Sequence, residues 1–566
     1  MVPENKLKNN IDMNKESTPT EASLLEHLFG LLCSRLRDLR LPIASSMICG
    51  LAAYLFCFTN KLEIMDDVTG MFGQGVTLTS GRWGLELTKY FTPSISLPWL
   101  NGLLSLILIT ASVCMVITVF DIRSPLLRIL LPAVMVTFPT QTCTFAYMFT
   151  SVQYALSLFL AVLALRILSS STPSVSSASS ASSSSLQGTV DSSPLATAFS
   201  QCLLSCALLV LSLSIYQAYI AVAASCLLTH VIYLILKNEK SEREIIHRGL
   251  TYVAVLLASL AIYYTVTLLV NSANSTGLNG YAERSLNGIP EILFGIRVAY
   301  TSFIGYFIKG YYDLVPTGAS IAAHFAIIAA AVLAFVSSHT RMSHIRLALL
   351  TVCVILFPLS VNCVRVISSL FHNLMLYSFT SVYILAAVVT EVCTCPVPHL
   401  LPRHETLTCP EARVRLKTLT RPLMRDIVCL SMAVIAAINI YTANTVFLKM
   451  YLQLEQAESV FTSVLTSLRA DPDFNGDSRV AFIGGNDDLY DFYMIDTDDL
   501  VGIREGIIGT YSQDDFIRYF LGAKVRVCGE DVTDDLASRP EVTDMPSYPY
   551  AGCIKVIDGI YVVKLG

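Results

Sequence analysis

Long apolar runs separated by short polar connections dominate the chain from residue 41 to residue 445. Runs of about 17 to 25 apolar residues match the thickness of a bilayer's hydrocarbon core when wound as helix, the form that satisfies every backbone polar group within one segment. The pattern predicts a polytopic α-helical membrane protein with about eleven transmembrane helices, at residues 41–59, 97–120, 126–140, 145–168, 195–215, 219–236, 250–270, 319–336, 347–361, 366–389 and 427–445. The third and ninth are short for a full crossing. Residues 289–308 carry Glu291, Arg297 and several aromatics. They are expected to form an interfacial helix in the long loop 271–318 and not a twelfth span. No internal repeat and no pair of broken spans, the usual mark of transporters, stands out.

The pattern changes at both ends. Residues 1–40 begin with a polar tail, and residues 21–40 have leucines at helical spacing with basic residues at the end, as in an amphipathic surface helix. Residues 41–446 form the membrane core. Within it, residues 169–194 are nearly all Ser, Ala and Thr, a composition that builds no core and reads as a flexible linker. Residues 447–566 are expected to form a small soluble α/β domain entered through an amphipathic helix at 447–468. A strand over 479–485 would end in a glycine turn, and a helix is expected at 513–521. The last two strands flank Asp558-Gly559, a strong two-residue hairpin signal.

Composition sharpens this picture. Only 14% of the residues are charged and 54% are hydrophobic, with a mean hydropathy of +0.59. From residue 447 onward there are 21 acidic against 10 basic side chains, which leaves the rest of the chain net positive by six despite an overall charge of −5. Lys and Arg are roughly three times as numerous in one alternating set of connections as in the other, which by the positive-inside bias puts the N-terminus in the cytoplasm. An odd number of spans then places the first loop and residues 447–566 outside the cell membrane. Most of the 16 cysteines lie in apolar segments as small hydrophobes. Cys528 and Cys553 are the exceptions, able to pair in an oxidising compartment. Asp487-Asp488 and Asp498-Asp499 lack the regular oxygen-ligand spacing of a calcium loop and read as turns. Asn274-Ser275-Thr276 fits a glycosylation sequon, a match that chance explains better.

The residues that offer chemistry fall in connections on the outer side. Asp66 and Asp67 follow the first span, with Gly81-Arg82-Trp83 later in the same loop. Tyr216 and Gln217 occupy the tight turn between spans five and six, Arg365 stands at the mouth of span ten, and Tyr147 and Gln153 lie near the start of span four. His372, inside the predicted span ten, reads as a packing residue. Ionisable side chains at membrane depth are costly and, where present, usually functional. A carboxylate can act as general base toward a sugar hydroxyl, and an arginine can hold a phosphate by forked hydrogen bonds. These parts suit the transfer of a glycosyl group from a lipid-linked phosphate. Each also has a structural reading: solvated loop for the acids, helix-end anchor for Arg365, simple turn for Tyr216 and Gln217.

The Asp66-Asp67 pair, Gly81-Arg82-Trp83, Tyr216-Gln217 and the terminal run from Met545-Pro546-Ser547-Tyr548-Pro549 to Leu565 resemble the bacterial Gtr-type O-antigen glucosyltransferases, over most of the chain from residue 41 onward. That resemblance implies a GT-C-like glycosyltransferase moving a hexose, in this family glucose, from a polyprenyl-phosphate donor to a cell-surface glycan on the extracytoplasmic face. It implies catalysis by Asp66 or Asp67, with Arg82, Trp83, Tyr216, Gln217 and Arg365 as candidates for substrate binding. The implied partners are the lipid-linked donor, the glycan acceptor and the bilayer, with no nucleic acid. No cofactor is required by the motifs, although a divalent cation is compatible with them. The competing reading is a polytopic transporter or lipid-linked sugar flippase whose outer-loop acids bind a cation or steer substrate. A non-catalytic membrane scaffold displaying the C-terminal domain is a third reading, and it gives Asp66-Asp67 no role.

Overall fold

In the computed structural model, residues 36–62, 64–72, 77–91, 95–170, 194–277, 289–309, 317–338, 342–367, 372–394, 411–484 and 511–566 are described. Most of the amphipathic N-terminal stretch, the Ser-rich linker and the paired aspartates at 487–488 and 498–499 lie outside these residues. Eleven helices among those described are long and apolar enough to cross a membrane, so the chain is a multi-pass membrane protein.

The bundle has two ends, each recognisable by a buried carboxylate. Helix α1 (Arg40–Thr59) runs to the first loop, which holds the short helices α2 (Met65–Thr69) and α3 (Trp83–Thr88). Helix α4 (Pro98–Val119) returns; Pro98 sits where its missing N–H costs nothing. At its far end Asp121 and Ile122 turn the chain, and the backbone N–H groups of Arg123 and Ser124 donate to Glu391 at 3.0 and 3.2 Å. The chain then crosses back through α5 (Leu127–Thr137) and α6 (Pro139–Ala146), which meet at a 42° bend. Phe138, extended at ψ 136°, makes the bend because the ring of Pro139 disfavours helix in the residue before it. That this pair traverses the bundle follows from its ends: one lies beside Glu391, while past the other Phe149 N–H donates to Asp67 at 2.8 Å.

Helices α7 (Ser151–Ser170), α8 (Pro194–Ile215), α9 (Tyr219–Lys237) and α10 (Glu242–Ala273) continue the alternation. Asn238, in the left-handed region at φ 57°, ends α9, and a Ser241/Glu244 capping box starts α10. Helix α11 (Ile289–Lys309) passes the length and apolarity test for a span, unlike the interfacial helix expected there. Its neighbours nevertheless keep it toward the Asp67 end. It joins the end of α10 beside Trp83 to the start of α12 (Thr317–Ser337), and Asn362 at the end of α13 (His344–Val361) donates to the Ala299 carbonyl at 3.1 Å. With α5–α6 as one traverse and α11 beginning and ending at one end, the described residues traverse the bundle eleven times.

Span ten departs from its expected bounds of 366–389. The chain leaves α13 through α14 (Val364–Ile367), then makes 3-10 turns at Asn373–Met375 and Tyr377–Phe379 before α15 (Thr380–Thr394) begins. His372 therefore precedes the span and is not inside it. The cause is tertiary: Thr140 Oγ1 donates to the Asn373 carbonyl at 2.9 Å, and Ser378 Oγ donates to the Val361 carbonyl at 2.6 Å, replacing helical partners. Together with the bend at Phe138 this gives two interrupted elements, against the expectation of none. Non-helical backbone at such depth is tolerated where protein buries it or it lines a cavity.

The last traverse belongs to α16 (Glu411–Arg469), one 59-residue helix that merges the expected final span and the amphipathic helix after it. Beyond it, β1 (Arg479–Ile483), β2 (Arg526–Val527), β3 (Ile554–Ile557) and β4 (Ile560–Lys564) form a sheet in the order β2-β1-β4-β3. β1 pairs parallel with β2 and β4, while β3 and β4 form an antiparallel hairpin around Asp558 and Gly559, both at positive φ. Alternate strand residues face opposite layers. Val480, Phe482 and Val563 pack with Phe461 and Leu468 of α16 and with Phe516 of α17 (Gln513–Tyr519). Ala481, Ile483 and Val562 pack with Leu536 of α18 (Glu530–Ala537) and with Val542 of α19 (Pro540–Thr543). Val68 of the first loop belongs to the first of these cores, so the C-terminal segment stands on the Asp67 end of the bundle. Cys528 and Cys553 are both free thiols.

Candidate functional site

Two adjacent residues on a helix point about 100° apart, and in the five-residue α2 this separates the two aspartates. Asp67 is fully buried. Its carboxylate accepts the Ser96 hydroxyl at 2.7 Å and the Phe149 N–H at 2.8 Å, pinning the first loop to the turn before α7. Asp66 is half-buried and faces the C-terminal segment, where the Tyr511 hydroxyl donates to it. Phe72 and Tyr519 pack edge to face beside this contact, with centroids 5.0 Å apart. Gly70 closes α2, and a Cβ there would sit 2.8 Å from both the Asp66 carbonyl and the Phe149 ring. Only glycine permits that approach.

Arg82 precedes α3 and lies half-buried over an aromatic pair. Its Nη1 donates to the Tyr154 hydroxyl at 2.9 Å, and its guanidinium carbon is 5.4 Å from the ring centre of Tyr216. Tyr216 and Tyr154 stack on each other at 4.4 Å. The turn carrying Arg82 is built around Gly81, at φ 73°, where a Cβ would lie 2.8 Å from the Tyr263 hydroxyl. Tyr263 donates to the Gly81 carbonyl at 3.0 Å, Gln217 Nε2 donates to the Ser80 carbonyl at 2.9 Å, and Trp83 Nε1 donates to Thr267 at 3.2 Å. Gln217 and Trp83 thus spend their donors on holding the turn, and Tyr216 supplies a face for the cation. Glu86 on α3 is partly desolvated, yet hydrogen bonds from Lys89 and Thr77 hold its carboxyl below the usual range.

The interrupted elements meet beside this loop. Burial, and after it the charge of Arg82, push His372 below the usual histidine range, so it is neutral at pH 7 and within the electrostatic reach of Arg82. Arg365 stands one short helix earlier, half-buried, its N–H on the Asn362 carbonyl at 3.0 Å. On the facing side α6 buries Thr140, Gln141 and Thr142, and Asn373 opposite is also buried. The Asn373 side-chain amide nitrogen has no hydrogen-bond partner among the described residues. Sequence reasoning missed Gln141, Thr142 and Asn373. The signal was present in Pro139-Thr140-Gln141-Thr142, a proline followed by three polar residues inside an apolar run. Among the described residues no three His, Cys, Asp or Glu side chains come together as a metal site.

The model of the glucosyl transferase GtrII family matches residues 55–390. The chain belongs to that family. The matched segment runs from the end of α1 into α15 and so contains the first loop, the Tyr216-Gln217 turn and both interrupted elements. The glucosyl transferase family and the apolar helices together make the chain a membrane glycosyltransferase in class. No curated protein and no solved structure matches it.

Proposed function

We propose that this protein moves a glucosyl residue from a polyprenyl-phosphate donor to a cell-surface glycan on the extracytoplasmic face, as a GT-C-like enzyme. Asp66 is the general base and Asp67 the residue that positions it. The observation carrying this division of labour is the different setting of the two carboxylates: Asp67 is buried on Ser96 and Phe149, while Asp66 is half-exposed and takes the Tyr511 hydroxyl. In the step, Asp66 takes the proton of an acceptor hydroxyl as that oxygen attacks the anomeric carbon. The bond from that carbon to the donor phosphate breaks, and the phosphate leaves with the electron pair. Arg82 holds the phosphate, its orientation set by Tyr154 and Tyr216 and its turn by Gln217 and Trp83, with Arg365 a second cation for the same lipid headgroup. The Lys/Arg bias and the contact between the first loop and the C-terminal segment support placing both outside.

A transporter or flippase is the second reading, favoured by the two interrupted elements. Transfer of labelled glucose from a synthetic polyprenyl-phosphate donor to purified surface polysaccharide by wild type, Asp66→Asn and Asp67→Asn separates the two. Loss in Asp66→Asn with intact donor binding is expected; near-normal transfer by both variants and by the double variant would remove the loop from the chemistry. Repeating the assay with EDTA tests whether a divalent cation takes part.

A further inference from the structure

Between the end of α16 and the hairpin β3–β4 lies a solvent-open cavity of about 420 Å³, within the roughly 300–1,000 Å³ of small-ligand sites. The family match ends at residue 390, so this region lies beyond it. One wall is the α16 face carrying Ser463 and Ser467, continued by Asp471; the other is the stretch from Tyr548 to Val556, with Tyr561 at the base. The backbone N–H of Asp473 donates to the Asp471 carboxylate at 3.0 Å, and the Tyr561 hydroxyl lies within its electrostatic reach. That one bond orients the carboxylate and leaves it further acceptor capacity. Tyr550 is 71% exposed, a large ring left in water at the rim of a cavity. Lys555 is exposed on the edge strand β3.

We propose that this cavity binds hexose units of the polymeric glycan acceptor, at a distance from the reacting end. The chemistry is that of sugar recognition. An exposed aromatic face packs on the C–H side of a pyranose ring, a carboxylate accepts from neighbouring hydroxyls, and an ammonium donates to ring or hydroxyl oxygens. One acidic and one basic wall group suit a ligand of low net charge. Position adds to this. Ser467 follows Thr445, near the end of the apolar part of α16, by 22 residues, or roughly 33 Å of helix, so the cavity stands well out from the bilayer on the Asp66 end. A polymer held there has its other units at high local concentration near Asp66, and a linked second contact raises apparent affinity without any change at the first. This deepens the proposed function and rests on it for the identity of the acceptor.

The test uses the full-length protein in lipid nanodiscs and, as probe, surface polysaccharide from the producing organism separated into single repeat units and long chains. Binding is measured in an Asp66→Asn background, so no turnover interferes. Tyr550→Ala and Asp471→Asn are each expected to weaken long-chain binding about tenfold. In the active protein they should raise KM for long chains by a similar factor, leaving kcat and the KM for single repeat units unchanged. Thermal unfolding of each variant checks that it folds; Tyr550, being exposed, is the variant least able to disturb a core. Long-chain binding unchanged in both variants would overturn the proposal. Binding that depends on the cavity in a protein showing no glucosyl transfer would leave this site standing and remove the transferase reading instead.

Discussion

The two ends of the bundle use buried charge in different ways. At the Glu391 end the carboxylate is enclosed and accepts the N–H groups of Arg123 and Ser124, while Arg346 of α13 pairs with Glu242 of α10 at 3.1 Å. Each of those groups ties two neighbouring elements together. At the Asp67 end one carboxylate does the same work, but beside it stand a half-exposed carboxylate, a cation on an aromatic pair, a neutral histidine, and two elements whose helices are interrupted. Polar groups are expensive in this setting, so an end that merely had to be held would resemble the Glu391 end. That surplus is what leads the proposed function to place transfer at the Asp67 end.

The strongest way to break this comparison is Asp66→Asn. Asparagine keeps the size of the side chain but takes no proton at neutral pH, and general-base catalysis is worth about a hundred- to ten-thousandfold. Transfer should fall by that factor with donor binding and thermal stability unchanged. An equal loss of stability would mean that Asp66 is, like Asp67, a strut.

Arg82→Lys comes next. A lysine keeps the charge but loses the forked donor geometry and the stacking on Tyr216. The expected outcome is a KM for the polyprenyl-phosphate donor raised roughly tenfold, with a smaller change in kcat, measured by initial rates over a donor titration. His372 gives this a pH signature. Its protonated form is disfavoured by burial and by Arg82, so it becomes charged only on the acidic side of the usual histidine range. As a second cation beside Arg82 it should then strengthen binding of an anionic donor, an acid-side gain that His372→Gln removes.

At the opposite end, Glu391→Ala leaves the backbone N–H groups of Arg123 and Ser124, the second of them buried, without their acceptor. Such a loss costs about 1–3 kcal/mol. Thermal unfolding in detergent should register it, while transfer per folded molecule stays near wild type. A specific loss of turnover would overturn the view of that end as structural.

How much of this was legible in the sequence depended on the kind of signal. Apolar runs set the number of crossings because hydrocarbon leaves the backbone no alternative to helix, and the Asp558-Gly559 turn was readable because two positive φ values admit few residues. The interrupted elements were not readable as runs. Phe138-Pro139 and His372-Asn373 sit in stretches whose hydropathy alone continues a helix, and what stops them is a partner elsewhere: Thr140 takes the Asn373 carbonyl. Asp66 and Asp67 were found as a pair but not told apart, since only the direction of α2 decides which of them is buried. Likewise Gln217 and Trp83 stood out by residue type, and only the turn at Gly81 shows what their donors hold.

That turn supplies the smallest and most selective comparison, between two glycines at the same φ of 73°. At Gly559 a Cβ would meet nothing within 4 Å, so Gly559→Val brings only the strain of an L-residue in the left-handed region, about 1–2 kcal/mol. At Gly81 the same strain is joined by a contact 2.8 Å from the Tyr263 hydroxyl, and relief of that contact must move the bonds that hold Arg82. Gly559→Val should therefore lower the unfolding temperature by a few degrees and leave transfer per folded molecule intact, although it lies in the segment that packs at the Asp67 end. Gly81→Ala should lose turnover out of proportion to its stability. If Gly559→Val abolished transfer in a fully folded protein, the hairpin would be part of the machinery, and the line drawn here between holding and working residues on that side would have to be moved.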